Sequence, residues 1–392
     1  MGSEKETFSS TGPSFLTAID WSNSNHRRSV AASLVQGVYV LESDRQQNRQ
    51  GPQALATPWW EFFGFRLAKV LIDDHDQSYF GAVYESNHQP GHTGPRAPQC
   101  VVAFRGPIYR PDTRAEDLKL NLGCLVNSLH GSPRFRVGFG SVRDFTSRVG
   151  PGNVWLAGHS VGSSVALLVG REMAKSGGVH LETYLFNPPF ASAPIERIKS
   201  EKVKTSLRVA NSVLTAGLAL AAGSKAREED PFAALAPWVP YLFVNRSDVV
   251  CSEYVGYFEH REKMEAIGAG KIGRLATKHS LGSIMSAARG KESEAAHLIP
   301  SAYLSINCGP SSGFREAHGV HQWWRQDLEL SVGHFWPLFD AIAPLWHSSD
   351  RLFLPLFALF ALFGAIAALF GAIAAQIARI AAKTAIAWRL LI

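Results

Sequence analysis

The chain of 392 residues is long enough for one large domain or two small ones. Its apolar fraction of 46% and charged fraction of 18% are close to those of soluble globular proteins. The net charge of +6 comes from lysines and arginines scattered along the chain, so we find no basic stripe for nucleic acid. The 4 cysteines form no CxxC pair, which argues against a zinc site or a disulfide framework and favours a reducing compartment.

The first 30 residues are mostly polar, and the residues after them show the apolar spacing of helices. Residues 1–30 are Ser-rich and predict a loose N-terminal segment. The charged stretch Met1–Ser10 does not have the pattern of a secretory signal, so we expect a cytoplasmic protein. The apolar spacing over residues 31–45 and 59–72 predicts two helices.

The middle of the chain alternates between strands and helices. Short apolar runs predict strands over residues 79–84, 100–104, 154–157, 179–186, 240–244 and 303–306. A helix is predicted over residues 138–149, and residues 195–236 are predicted to form a helical insertion, either a lid or simple packing. This alternation predicts an α/β fold with a mostly parallel central sheet that is covered by helices on both faces.

The most informative motif is the pentapeptide Gly158-His159-Ser160-Val161-Gly162. It lies between the predicted strand 154–157 and a helical stretch. Glycines on both sides of the serine allow a turn tight enough for strand and helix to pack closely. The hydroxyl then stands at a helix N-terminus, where free N–H groups favour negative charge. The arrangement resembles the nucleophile elbow of the α/β-hydrolases and predicts that fold, with Ser160 as the nucleophile.

A serine nucleophile needs a base and a carboxylate that orients the base. In α/β-hydrolases the acid follows the serine in the chain and the histidine comes last. Asp248 fits the acid because it follows the strand 240–244, and Asp230 is a weaker candidate. Two histidines follow the last clear strand by a loop. His321, which is set before two tryptophans, is the preferred base, and His318 is the alternative. The full set of later histidines is His260, His279, His297, His318, His321, His334 and His347.

Four segments carry a resemblance to a known family: Phe104–Gly106, Ala157–Gly162, Asn245–Asp248 and His321–Trp324. They resemble the class 3, or fungal-type, lipases. The runs PWVPYLFVNRSDVVCSEYVGYFEHR and AHGVHQWW are also similar to plant α/β-hydrolases that are often labelled GDSL esterase/lipase, although the chain has no GDSL serine motif. The resemblance implies a hydrolase domain over residues 31–345 that cleaves acyl-lipid esters. In class 3 lipases the catalytic histidine is followed by aromatic residues, so the resemblance favours His321 as the base.

The resemblance further implies an oxyanion hole made by Val161 and by the residue after Phe104-Arg105-Gly106. That residue is Pro107, which has neither the backbone N–H nor the hydroxyl that the usual Thr or Ser would supply. Losing one such donor costs about 10²–10³ in turnover. We therefore predict a slow-to-ordinary serine ester hydrolase; the alternative is a weak or inactive lipase-like binding or scaffold protein. No cofactor and no metal are predicted.

The C-terminal tail, residues 346–392, differs in character from the rest. It contains Leu352–Ala375, a run of 24 residues without a charge in which ALFGAIA occurs twice in succession. As a helix this run would reach about 36 Å, enough for a hydrocarbon core of about 30 Å. Three interpretations stay open: a membrane-spanning helix, an interfacial or re-entrant helix, and a packed or aberrant terminus. The oligomeric state is not predicted.

Overall fold

A computed structural model of the chain describes residues 6–87, 97–108, 129, 131–191, 195–221, 234–266, 297–326 and 328–335. The chain divides into two compact units. The first comprises Met1–Ala193, Glu228–Gly256 and Ala296–Leu338, and the second comprises Pro194–Arg227, Tyr257–Ala295 and Phe339–Ile392. The predicted tail, including Leu352–Ala375, lies outside the described residues, as do Asp230, His279 and His347. Within the described ranges, no helix combines the length and apolar character needed to span a membrane.

The helices of the described residues are α1 (Phe8–Thr11), α2 (Ser24–Gln46), α3 (Pro58–Glu61), α4 (Pro133–Val149), α5 (Val161–Gly177), α6 (Glu201–Ala221), α7 (Glu253–Ala266) and α8 (Phe314–His318). Short 3-10 helices occupy Gly51–Gln53, Pro151–Asn153, Ile195–Arg197 and Val320–Trp324. The strands are β1 (Phe65–Ile72), β2 (Tyr79–Ser86), β3 (Cys100–Phe104), β4 (Val154–His159), β5 (Glu182–Phe186), β6 (Tyr241–Asn245), β7 (Ala302–Asn307) and β8 (Leu330–Phe335).

The strands form one sheet of 8 strands in the order β1 to β8. Strands β3 to β7 are parallel to one another, whereas β1, β2 and β8 add antiparallel pairings at the two ends. The parallel strands end at one edge of the sheet, so the turns after β4, β5 and β6 lie side by side, where a ligand crevice is expected. The predicted α/β-hydrolase fold with a mostly parallel central sheet is confirmed.

Helices cover both faces of this sheet. Strands β3 and β4 are buried along their whole length, as expected for strands covered on two sides. On one face, Val101, Trp155 and Phe186 pack into the core cluster that includes the buried side of α2. On the other face, α5 packs against β3, β4 and β5. Each fully buried aliphatic or aromatic side chain contributes roughly 1.5–3 kcal/mol, so both layers hold β4 firmly in place.

Two predictions about the N-terminal part were wrong. Residues 59–72 are not one helix, because α3 ends at Glu61, Gly64 adopts a φ of +74°, and the chain then continues as β1. Residues 1–30 do not form a loose segment over their described part. Phe8 is buried, with its ring centroid 5.1 Å from that of Trp59, and α2 already begins at Ser24.

The predicted helical insertion over residues 195–236 is helical over Glu201–Ala221, which is α6 of the second unit. Residues 222–233 of this insertion lie outside the described part. Its role as a lid stays a prediction. Strand β8 was not predicted, because the last apolar run that we interpreted as a strand was 303–306.

Candidate active site

The serine of the pentapeptide stands at a sharp turn between β4 and α5. Ser160 has φ +55° and ψ −129°, a backbone conformation that non-glycine residues rarely adopt. A Cβ added to Gly158 would lie 2.4 Å from the carbonyl oxygen of Gly162, and one added to Gly162 would lie 2.4 Å from that of Phe104. Both glycines are therefore required by close backbone approach. The backbone strain of about 1–3 kcal/mol is held by the buried strand and helix on either side.

Three buried polar residues form a hydrogen-bonded chain at this turn. The Ser160 Oγ lies 3.0 Å from Nε2 of His318, and Nδ1 of the same ring lies 2.8 Å from Oδ2 of Asp248. The exposed fractions of Ser160, His318 and Asp248 are 0%, 4% and 0%. Ser160 follows β4, Asp248 follows β6, and His318 is the last residue of α8, so three separate elements meet at one edge of the sheet.

The ring that contacts both Ser160 and Asp248 is that of His318, which the sequence prediction gave as the alternative to the preferred His321. This contact favours the alternative over the preferred choice. His321 lies beyond Gly319, which is extended, in the 3-10 helix Val320–Trp324. The two tryptophans that favoured His321 are structural anchors: Trp323 Nε1 donates to Asn187 Oδ1 at 2.6 Å, and Trp324 Nε1 donates to the Thr11 carbonyl at 2.8 Å.

The carboxylate of Asp248 is surrounded by donors. Its Oδ1 accepts the Val250 N–H at 3.0 Å, and its Oδ2 accepts Asn187 Nδ2 at 2.7 Å and Cys251 Sγ at 3.1 Å in addition to the histidine. Burial alone would raise the pKa of Asp248, but the neighbouring His318 and these hydrogen bonds outweigh it and lower the pKa. Asp248 is therefore ionised at neutral pH. Burial and the adjacent carboxylate raise the pKa of the Cys251 thiol, so it stays a protonated donor.

A second hydrogen-bonded chain runs from Gly106 to the backbone of His318. The Gly106 N–H donates to the Tyr39 hydroxyl oxygen at 2.8 Å, and this hydroxyl lies 2.8 Å from Nδ1 of His159. The His318 carbonyl oxygen, 2.6 Å from Nε2 of His159, only accepts, so Nε2 carries the proton and Nδ1 of the neutral ring accepts the Tyr39 proton. Burial lowers the pKa of His159 to about 3, which keeps this ring neutral.

The predicted oxyanion-hole residues lie on both sides of the serine. Val161 is the first residue of α5, and its N–H has no acceptor within that helix. The loop with Pro107 also approaches, since a Cβ on Gly106 would lie 2.7 Å from the Ser160 Cβ. Pro107 has no N–H, and the Gly106 N–H is directed to Tyr39. The next N–H along this loop belongs to Ile108, whose side chain is 46% exposed.

Comparison with known proteins places the chain in a family. No family model matches the chain. A GDSL esterase/lipase of Arabidopsis thaliana is 48% identical over 350 residues, which cover 85% of this chain and 98% of that protein. The chain belongs to this esterase/lipase family. The class 3 assignment stays a prediction.

Solved structures give only distant likenesses. A lipase from Rhizopus microsporus var. chinensis has a TM-score of 0.27 and 16% identity, covering 44% of this chain and 60% of that one. A hyperthermophilic esterase from Pyrobaculum calidifontis has a TM-score of 0.23 and 14% identity, covering 64% of this chain and 97% of that one.

Sequence reasoning missed the polar residues that surround the central three. Asn187 was noted only as the end of a strand, and Tyr39, Cys251 and Gln322 were not singled out. The Gln322 side chain donates to the carbonyls of Ala317 at 2.7 Å and Gly319 at 2.9 Å, which braces the turn after His318. The one available signal was Asn187 followed by two prolines at the end of a buried strand. Among the described residues, no group of three metal-ligating side chains could hold a metal ion.

Proposed function

We propose that this member of the esterase/lipase family is a serine hydrolase that cleaves carboxylic esters of acyl lipids. Ser160 is the nucleophile, His318 the general base and Asp248 the orienting acid. The observation that carries the proposal is the unbroken hydrogen-bonded chain from the Ser160 Oγ through both ring nitrogens of His318 to Oδ2 of Asp248. An isolated serine hydroxyl is a poor nucleophile at neutral pH, and this arrangement supplies what it lacks.

In the proposed reaction, Ser160 Oγ attacks the ester carbonyl carbon while His318 Nε2 accepts the hydroxyl proton. The ionised Asp248 stabilises the imidazolium that forms. The Val161 N–H, at the positive end of the α5 dipole, stabilises the oxyanion. The tetrahedral intermediate collapses when His318 returns the proton to the leaving alcohol. A water molecule, activated by the same histidine, then releases the fatty acid and restores the Ser160 hydroxyl.

A fluorophosphonate probe tests this assignment directly, because it labels only an activated serine. We expect the full-length chain to be labelled at Ser160 and labelling to vanish in Ser160→Ala. The matched pair His318→Ala and His321→Ala distinguishes the two candidate bases, which lie three positions apart. His318→Ala should reduce the labelling rate at least about 10³-fold, whereas His321→Ala should leave most of it. If His321→Ala removes labelling and His318→Ala does not, the proposed base is wrong.

The acyl-lipid substrate is proposed from the family, since the Arabidopsis relative is named as an esterase/lipase. Hydrolysis rates on p-nitrophenyl esters of graded chain length measure this preference. An acyl-lipid hydrolase should cleave esters of eight or more carbons faster than the acetate. The opposite order would assign the chain to small soluble esters.

The alternative function is a weak or inactive binding or scaffold protein, and one observation favours it. Pro107 lacks an N–H, and the Gly106 N–H is donated to Tyr39, so neither residue supplies the second oxyanion donor. Pro107→Thr restores a backbone N–H and adds a hydroxyl at this position. If the missing donor limits turnover, this variant should hydrolyse esters about 10²-fold faster. An unchanged rate would mean that another group already stabilises the oxyanion.

We also propose, from the sequence alone, that the protein is cytoplasmic and associates with membranes through the uncharged run Leu352–Ala375. The test compares the full chain with a version that ends at Ser348. The full chain should sediment with membranes and the shorter version should remain in the supernatant. If both remain in the supernatant, the tail does not attach the protein to membranes.

A further inference from the structure

The side chain of Asn187 lies at the centre of the polar network and contacts three different elements. It follows β5, is fully buried with 0% exposure, and has φ +46°. Its Nδ2 donates to Asp248 Oδ2 at 2.7 Å and to the Ala317 carbonyl oxygen at 3.0 Å. Its Oδ1 accepts the Trp323 Nε1–H at 2.6 Å.

The chemistry of the partners fixes which way this amide points. An ionised carboxylate and a carbonyl only accept, and an indole N–H only donates, so the NH₂ group must face Asp248 and Ala317 while the oxygen faces Trp323. Both amide protons and the amide oxygen are used. A rotated amide would place its oxygen against the carboxylate and leave the buried indole N–H without an acceptor, and both changes are unfavourable in a buried site.

We propose that Asn187 is a positioning residue for the proposed reaction, because its amide sets the distance between the orienting acid and the base. One hydrogen bond restrains Asp248, and the other restrains the peptide unit that immediately precedes His318. The carboxylate and the imidazole approach each other from different elements, after β6 and at the end of α8. The amide therefore fixes the 2.8 Å separation between the ring Nδ1 and Oδ2 of Asp248. A misplacement of about 1 Å in such a site can reduce turnover about 10²-fold.

The backbone of Asn187 allows a direct test of this inference. Its φ of +46° lies in the left-handed region, which asparagine tolerates better than most non-glycine residues and which glycine adopts without strain. Glycine can therefore replace Asn187 without changing the turn.

Asn187→Gly separates positioning from a purely structural role, because glycine keeps the turn and removes only the amide. We expect it to fold with a melting temperature lowered by several degrees, because the buried Trp323 indole N–H loses its acceptor. Its kcat on a p-nitrophenyl ester should fall about 10–100-fold with KM nearly unchanged. Asn153→Gly is the matched control, since the Asn153 amide bonds only the Val149 carbonyl, at 2.8 Å, before β4. The control should keep the parent kcat. A parent-like kcat in Asn187→Gly would overturn the proposal.

This inference rests on the proposed function, and fluorophosphonate labelling of the parent distinguishes the two failures. If the folded parent is not labelled at Ser160, the hydrolase function itself is wrong. If the parent is labelled and Asn187→Gly is labelled at the same rate, only the positioning role of Asn187 is wrong.

Discussion

Replacing Tyr39 with phenylalanine should weaken the fold and the site together, because the Tyr39 hydroxyl links the Gly106 loop to His159. Tyr39→Phe removes the acceptor of the Gly106 N–H and the donor to His159 Nδ1, two hydrogen bonds of 2.8 Å. Gly106 and His159 are both buried, so each loses a partner that water cannot easily replace. An unsatisfied buried group costs about 1–3 kcal/mol, so we expect a loss of about 2–4 kcal/mol in the free energy of unfolding.

Urea unfolding of the parent and of Tyr39→Phe measures this loss, with the slope of the transition expected to stay the same. The His318 carbonyl oxygen only accepts, so His159 should keep its Nε2–H form in the variant while its Nδ1 loses the Tyr39 donor. Two-dimensional NMR of the histidine ring nitrogens should therefore show a changed Nδ1 shift with the tautomer retained. A loss below about 0.5 kcal/mol, together with an unchanged Nδ1 shift, would refute the assigned hydrogen-bond chain.

The remaining predictions concern strain, pH and backbone packing. Ser160→Gly should be more stable than Ser160→Ala by about 1–2 kcal/mol in thermal unfolding, because only glycine adopts φ +55° freely; equal stabilities would mean that the turn is not strained. Burial lowers the pKa values of His159 and His297 to about 3 each, so the unfolded chain binds more protons than the folded one below pH about 6.5. Stability should therefore fall as the pH decreases from about 6.5 towards 3, and His297→Gln should flatten this decline in acid titrations followed by circular dichroism. Gly158→Ala should lose more than about 3 kcal/mol or fail to fold, since its Cβ would meet backbone at 2.4 Å, whereas Gly152→Ala, with no atom within 4 Å, should be tolerated.

The sequence pattern alone predicted features that depend only on neighbouring residues. The turn at Ser160 needs glycines at fixed spacing between a buried strand and a helix, and five consecutive residues contain the whole motif. Asp248 was singled out in the same way, because it lies in the loop after a strand, and the carboxyl ends of parallel strands meet at one edge of the sheet. The alternation of apolar runs likewise predicted the parallel sheet without any knowledge of its partners.

Periodicity failed where one pattern fits two structures. The apolar residues of 59–72 fit one side of a helix, yet the described chain forms a short helix and then an edge strand. The deciding contact lies outside the segment itself, since β1 pairs with the next strand, β2, in a hairpin that runs from Ile72↔Tyr79 to Phe65↔Ser86. The apolar spacing within residues 59–72 carries no record of this pairing, so the prediction of one helix was wrong.

The sequence by itself determined the glycine-flanked turn at Ser160 and pointed to Asp248 and to a histidine near residue 320 as its partners. Only the tertiary structure showed that the His318 ring lies within hydrogen-bonding distance of both Ser160 and Asp248, because these contacts join residues that are 158 and 70 positions apart in the chain. The hydrogen bonds of Asn187 and Tyr39 are also formed with partners more than 60 residues away in the chain. Hydrogen bonds between distant residues depend on packing, and packing leaves no local pattern by which such residues could be recognised.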